Sequence, residues 1–523
     1  MSAERRNISR SVPGKPGAEG GRILSLHEPR SRITPLPLDH LERVWGWGLS
    51  TSSAGYVFRP STVDGIREVL RIAKASGRSV GFRGAGRSYG DASLNTENIV
   101  LDTSRMNRIL EWDPETGIID LEPGASIADL WQYILPDGWW PPVVPGTMFP
   151  TIAGCASMNI HGKNNFCVGS LGEHILEFDL MTASGSILHC SRTENPRVFH
   201  AAIGGFGMLG CFVRVRLQMK RVWSGMLNVE AVNVPDMAGM FRVMEERQDR
   251  ADYLVGWIDA FAGGNALGRG VIHQADYLKK GVDPNPAQSL KIENQQLPDT
   301  ILGLFPKSIL HKFMRPFFNP LGLRLVNAAK FYSSKVLDRG KTFRQSHAAF
   351  AFLLDYVPNW KKVYGGGGLI QYQSFVPKEH AERVFREQLL LCKKSGMPSS
   401  LAVFKRHRPD EFLMTHNLDG YSLALDFKVT ARNRERLWAM ARKMNRLVLD
   451  AGGRFYFAKD STLTAEDAGE FLGRKALSEF AALKQELDPE GLLETDLARR
   501  LFGEGTGRLF DAGPEPDSND PGR

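Results

Sequence analysis

Cysteine is scarce. Five occur in 523 residues (Cys155, Cys167, Cys190, Cys211 and Cys392), an odd number with no Cys-x-x-Cys pair. That spacing argues against a disulfide frame and reads instead as buried thiols of a reducing compartment. Long apolar runs are also lacking: none approaches the roughly 18 residues needed to span a bilayer. No apolar core of the signal-peptide type appears near Met1, so no leader is expected. Zinc-ligand spacing, an RNP motif and basic heptads are all missing, which leaves the net charge of +8 without a nucleic-acid reading. An anionic substrate or an anionic membrane surface accounts for that charge equally well. No internal repeat is visible.

What the sequence has in excess is glycine, 53 residues, much of it clustered. Clustered glycine marks places where backbone approaches backbone, or backbone approaches a ligand. The length is too great for one ordinary core, and two domains are the natural expectation. Residues 1–32, rich in Arg, and 502–523, rich in Gly, Pro and Asp, lack periodicity and read as disordered tails.

Between Pro60 and Leu121 the pattern alternates. Ser61-Thr-Val-Asp64 resembles a capping box, Ile66, Val69, Leu70 and Ala73 follow at helical spacing, and Gly77 provides the stop. Short strands are predicted over 79–82, 99–102 and 117–121, a helix over 127–134, and a strand over 211–218. From about Val222 a second sheet is expected from segments 227–234, 369–376, 401–405 and 421–429. Helices over 237–248, 379–394 and 433–449 accompany it, and a last helix runs near 471–487. The fold class is α+β, with a mixed antiparallel sheet flanked by helices in the second half.

Three glycine-bearing stretches carry the chemistry. Gly81-Phe-Arg-Gly-Ala-Gly-Arg-Ser-Tyr-Gly-Asp91 follows a predicted strand, and its N–H groups suit a phosphate cradle. It is not a dinucleotide-fold fingerprint, because Tyr89 stands where the third glycine belongs and no helix obviously follows. A tight surface turn is the other reading. The second stretch runs from Pro145-Gly-Thr147 through Thr151-Ile-Ala-Gly154 to Asn159-Ile-His-Gly-Lys-Asn164, where small residues would admit a large flat ligand. His161 alone reads as a satisfied core residue; beside Lys163 it is harder to set aside, since lysine is seldom buried without a partner. The third, Ile203-Gly-Gly-Phe-Gly-Met-Leu-Gly210, repeats the theme before a strand.

In this order the motifs resemble the FAD-linked oxidases of the vanillyl-alcohol oxidase superfamily, with a PCMH-type cofactor domain. Most closely they resemble the branch that oxidises the 2′-hydroxyl of polyprenylphosphoryl ribose, the first half of an epimerisation to arabinose. The likeness runs from Trp45-Gly-Trp-Gly48 to Ala498-Arg-Arg-Leu501, through Trp257-Ile-Asp-Ala260, Gln371-Tyr-Gln373, Val403-Phe-Lys405, Ala458-Lys-Asp-Ser461 and Asp488-Pro489.

The resemblance implies a two-part FAD-binding domain over 33–221, a substrate (cap) domain over 222–453, and a segment 454–501 returning to the first. It implies that Arg83, Gly84, Ala85, Gly86, Arg87, Ser88, Tyr89, Gly90 and Asp91 wrap the FAD pyrophosphate. Gly146, Thr151, Ile152, Ala153, Gly154, Asn159 and His161 would line the flavin and its ribityl chain, and Phe212 and Tyr456 would complete the site. Covalent relatives often carry His where Arg87 stands, so non-covalent FAD is expected; no metal is. Lys163, Gln373, Lys405 and Lys459, with Tyr89 nearby, are the implied catalytic set. Lys459 would polarise or deprotonate the substrate hydroxyl, since burial and a neighbouring cation lower a lysine pKa. Ser422 stands where that branch usually has Asn, and Ala424 where many members have Cys or another residue, which leaves the sugar open.

A separate NAD(P)H-dependent reductase is the expected partner, because no second nucleotide fingerprint occurs, with a quinone or oxygen reoxidising the flavin. An aldonolactone or sugar-alcohol oxidase on the same fold, and a non-catalytic flavin-binding scaffold, stand as alternatives. Segment 301–336 carries six Lys/Arg and no acidic residue among Phe305, Phe313, Phe317 and Phe318. It reads as a poorly ordered crossover loop or as a lid touching an anionic membrane. The expected location is cytoplasmic, peripheral at the inner membrane if that lid docks.

Overall fold

The apolar stripe Ile66, Val69, Leu70 and Ala73 builds the helix Val63–Ser76 and is its buried face. Thr62 rather than Ser61 caps it: the Thr62 hydroxyl accepts the Gly65 N–H at 3.0 Å. Asp64, read as half of a capping box, instead pairs with Arg67. Gly77 closes the helix at φ +61°.

A computed structural model describes residues 35–297, 300–301, 305–337 and 341–503. Segment 1–32 and residues 504–523, both read as tails, lie outside the described residues, as do 302–304 of the basic segment. Phe502, assigned above to the tail, ends the helix Asp496–Phe502 and stacks on Phe206 at 5.7 Å.

Three sheets carry the architecture. The first has the order Leu41–Trp45, Ser52–Phe58, Ile99–Asp102, Val80–Arg83; its first pair is antiparallel and the others parallel. The Val63–Ser76 helix crosses it, packing Ile66, Leu70 and Ala73 in one cluster with Val80, Ile99 and Leu101. The second is antiparallel, in the order Ile109–Asp113, Ile118–Leu121, Cys211–Gln218, Ile175–Met181, Ile187–Ser191. The third runs Thr342–Ser346, Met226–Val234, Gly270–Tyr277, Tyr253–Ile258, Ala402–His407, Gly420–Lys428, Leu369–Pro377, Arg454–Phe455, every pairing antiparallel.

Strand alternation gives the third sheet two unlike faces. Along Leu369–Pro377, Tyr372 and Ser374 turn to the helices, where Gln388 of Lys378–Lys394 meets both. Gln371 and Gln373 point the other way, into a cavity. The same holds for Phe404 against Phe385, and for Val403 and Lys405 in the cavity.

Segment 301–336 departs from the loop reading. It contains the helices Lys307–Met314 and Pro320–Leu337, and Phe331 of the second packs in one cluster with Ala231, Trp257 and Val271. The last long helix, Ala465–Leu487, starts six residues before the predicted one; Gly473 kinks it at φ +77°. Its capping box, Thr464 with Asp467, was not recognised in the sequence.

Two polypeptide crossings fix the glycine loop. Tyr89 N–H donates to Ala458 O at 2.9 Å and Trp47 N–H to Ser88 O at 2.8 Å. A Cβ on Gly90 would lie 2.1 Å from Asp460 O, an impossible approach to backbone. Gly90→Ala is therefore expected to destabilise the protein by about 1–3 kcal/mol. Denaturant unfolding checks this, and a midpoint equal to that of the unmutated protein contradicts it.

Candidate active site

The cavity under the third sheet has a volume of about 600 Å³. Its floor comes from the glycine loop, from Gly146 and Thr147, and from the short helix Ile152–Ser157. On that helix Ala153, Gly154 and Ser157 share the cavity face, while Ile152, Cys155 and Ala156 fill the core. Phe206, Gly207 and Phe212 continue the floor, and Tyr456 closes one wall.

Of the cofactor residues read from the sequence, Arg83, Gly84, Ala85, Gly86, Arg87, Ser88, Tyr89, Gly146, Thr151, Ala153, Gly154, His161, Phe212 and Tyr456 line this cavity. Four do not reach its wall. Gly90 is pressed against Asp460, and Asp91 is held by Arg500 through two 2.8 Å bonds. Ile152 is a core residue, and Asn159, at φ +42°, spends its side chain on Asp410 and the Gly172 N–H.

The donor set fits FAD. None of the amide N–H groups of residues 84–88 donates to another group among the described residues, so five donors share one loop. Among the described residues Thr151 Oγ1, Arg87 Nε and Tyr89 OH, all buried, likewise have no hydrogen-bond partner. A Cβ at Gly84 would lie 2.0 Å from Thr151 Oγ1, so any larger residue there forces Thr151 to move. Anion-seeking amides at one end and a floor of small side chains at the other match a pyrophosphate joined to a flat ring.

The five catalytic candidates all reach the same cavity. Lys163 Nζ donates to Phe350 O and sits 4.4 Å from the Phe350 ring centroid; burial lowers its pKa to about 7. Lys405 lies 3.4 Å from His161 Nδ1, and burial takes it to about 8. Lys459 stands 4.1 Å over the Tyr89 ring. Burial lowers its pKa, Asp426 opposes the shift, and Lys405 adds to it. Asp426 is itself raised by burial and is held by Gln371 Nε2 at 2.5 Å and Tyr364 OH at 3.3 Å. Tyr89 is pushed well up by burial and stays a neutral phenol.

Gln373 ties the group together. Its Nε2 is 3.1 Å from His161 Nε2 and 3.3 Å from Ser422 Oγ, and Ser422 Oγ lies 2.8 Å from His407 Nε2. Burial, with Lys405 next, holds His161 and His407 well below the ordinary histidine range, so both rings are neutral at pH 7. Sequence reading overlooked His407, His416, Asp426, Tyr364 and Lys330. A signal existed for the strand residues: polar side chains at alternate positions of strands otherwise buried, as in Lys405 and His407 or Ser422 and Asp426.

A second segment of the chain reaches across the cavity. Asp355 accepts from Thr147 Oγ1 at 2.7 Å and Met148 N–H at 2.8 Å, which seats Leu354 and Tyr356 on the cavity rim.

Comparison with known proteins agrees with this geometry. The family described as FAD binding domain matches residues 54–191. The decaprenylphosphoryl-beta-D-ribose oxidase of Mycolicibacterium smegmatis is 32% identical over 470 residues, 88% of this chain and 97% of that protein. The L-gulonolactone oxidase of Bos taurus is 31% identical over 161 residues, 31% of this chain and 36% of that protein. A putative D-arabinono-1,4-lactone oxidase of Neurospora crassa is 29% identical over 176 residues, 34% of this chain and 31% of that protein. The chain belongs to the FAD-linked oxidase family. Its cofactor is FAD and it is an FAD-dependent oxidoreductase.

Proposed function

We propose that the protein oxidises the 2′-hydroxyl of a polyprenylphosphoryl-β-D-ribose to the 2′-ketone. The observation that carries this reading is the convergence of Lys163, Lys405 and Lys459 with Gln373 and His161 on one cavity beside the cofactor cradle. A secondary alcohol becomes a ketone by losing a hydride from carbon and a proton from oxygen. FAD supplies the hydride acceptor. Lys459 in its neutral form takes the proton, Gln373 orients the sugar, and the third sheet keeps water from the reacting carbon. Lys163 and Lys405, when protonated, favour a substrate that carries a phosphate. The Mycolicibacterium smegmatis relative, matched over 97% of its own length, is named for such a substrate. The likeness to lactone oxidases is shorter: lining cations that run from Lys163 to Lys459 do not all fall within a match of 161 residues.

Anaerobic addition of farnesylphosphoryl ribose is expected to bleach the visible flavin band. Gulono- and arabinono-lactone and NADH leave it unchanged, the last because reduction of the keto product belongs to a separate NAD(P)H-dependent reductase. Lys459→Ala slows bleaching by about 10²-fold or more. The rate for the unmutated protein rises with pH through neutrality, as the burial-lowered amine sheds its proton. Bleaching by a lactone and not by the phosphoryl ribose overturns the substrate, and an unchanged rate in Lys459→Ala overturns the base.

The cofactor is bound without a covalent link in this reading, since Arg87, over the Phe149 ring at 4.9 Å, occupies the position where covalent relatives carry His. Acid precipitation is then expected to leave the yellow colour in the supernatant; colour retained in the pellet contradicts it.

The helices of segment 301–336 form the membrane contact. No helix among the described residues is long and apolar enough to cross a bilayer. Phe313, Phe317, Leu321 and Leu325 are 59%, 62%, 69% and 63% exposed on an acid-free basic segment, a combination suited to an anionic surface. Replacing all four by Ser should reduce sedimentation with phosphatidylglycerol vesicles, whereas undiminished binding would sink the assignment.

A further inference from the structure

Among the described residues four lysines line the cavity, and the chemistry above uses three. The fourth, Lys330, comes from the helix Pro320–Leu337. Phe331 beside it packs in the cluster with Trp257, and the Lys330 ammonium sits 4.2 Å from the Trp257 ring centroid. Among the described residues no carboxylate lies within ion-pair distance of it. The residue as a whole is exposed, yet burial of its charged end lowers its pKa to about 8. An ammonium withdrawn from water with only a ring face as partner is short of an anion.

Its place in the sheet says which anion. Trp257 lies opposite Val403, Val403 opposite Ala424, and Ala424 opposite Gln373, so one row crosses the cavity roof. Three strand spacings put the Trp257 backbone about 14 Å from that of Gln373. Lys459 adjoins Gln371 and Gln373 at the reacting end. Lys330 therefore marks the other end, on a helix whose outward residues Leu321, Leu325 and Tyr332 are exposed and apolar or amphipathic. A ligand that follows this line is polar and hydroxylated at Gln373, anionic on the way to Lys330, and apolar where it leaves.

We propose that Lys330 is an anion anchor at the outer end of the cavity, taking the phosphate of a prenyl phosphate or prenylphosphoryl ligand. The inference builds on the phosphorylated-substrate reading above, and its test does not require turnover. Farnesyl phosphate, inorganic phosphate and farnesol are titrated into the full-length flavoprotein and into Lys330→Met and Lys330→Arg, with binding read by calorimetry and tryptophan fluorescence. FAD content and unfolding midpoint are checked in each variant.

The unmutated protein is expected to prefer farnesyl phosphate to farnesol. Lys330→Met loses about tenfold or more of that affinity and Lys330→Arg stays within about threefold, as for removal or retention of a charge-assisted hydrogen bond. Inorganic phosphate competes in the unmutated protein and not in Lys330→Met, which separates recognition of phosphate from recognition of the chain. Equal affinity for farnesol and farnesyl phosphate, or unchanged affinity in a folded Lys330→Met, overturns the anchor. Failure of phosphoryl ribose to bleach the flavin overturns the oxidation instead and leaves the anchor to stand on its binding data.

Discussion

A ladder of backbone hydrogen bonds holds the whole site in place. Leu369 N–H donates to Gly48 O at 2.8 Å, Gly48 N–H to Tyr89 O at 3.2 Å, and Tyr89 N–H to Ala458 O at 2.9 Å. The large sheet, the tryptophan-glycine turn, the glycine loop and the segment bearing Lys459 are thereby stacked backbone on backbone. Such stacking leaves no room for side chains. A Cβ on Gly46 would meet Gly90 O at 2.4 Å, and one on Gly48 would meet Leu369 O at 2.3 Å. The glycine loop and the segment bearing Lys459 are two edges of one ladder, tied backbone to backbone.

The ladder also explains the electrostatics. Arg500 pins Asp91 and Asp460 together at 2.8 Å, so carboxylates flanking the loop are neutralised away from the cavity. Asp426, buried beside the cavity, is an acid that interacts with Lys459, and burial raises its pKa. What remains is a chamber lined by lysines, arginines, amides, hydroxyls and the neutral His161 ring. A space of that kind opposes cations and accepts anions, and the amines that lose their protons most readily there are also the ones able to accept one from a hydroxyl. In the proposed reaction, proton acceptance and phosphate binding would be two uses of one desolvated lysine cluster, divided by position along the sheet.

Much of this was legible in the sequence, for reasons that can be named. The helices over 127–134 and 237–248 carried strong local periodicity, and the strand over 211–218 alternated cleanly; the structure has Ile127–Ile134, Met237–Arg247 and Cys211–Gln218. Lys163 and Lys459 stood in distinctive motifs. The strands Tyr253–Ile258 and Gly270–Tyr277 were overlooked because the first is buried on both faces and shows no alternation to read. The basic segment failed differently. Its helices hold Phe331 inward but leave Leu321 and Leu325 exposed, so the pattern is not that of a helix with one apolar stripe toward a core. Asp91 misled through proximity: it belongs to the glycine motif by sequence and to Arg500 by contact.

Ser422 shows how a single position reorganises its surroundings. A residue one carbonyl longer, the Asn that the resemblance led one to expect, would reach toward Gln373 by itself. Serine is short, and its hydroxyl engages two neighbours at once, Gln373 at 3.3 Å and His407 at 2.8 Å. His407 can fill the space behind it because burial keeps the ring uncharged, and it packs edge-to-face against both Phe375 at 4.7 Å and His161 at 4.9 Å. The orientation of Gln373, and through it the side of His161 that faces Lys405, is thus set by neighbours on the cavity face of the sheet. A ligand entering the chamber meets a polar wall that is already fixed, and the energy of ordering those side chains is spent in folding rather than in binding.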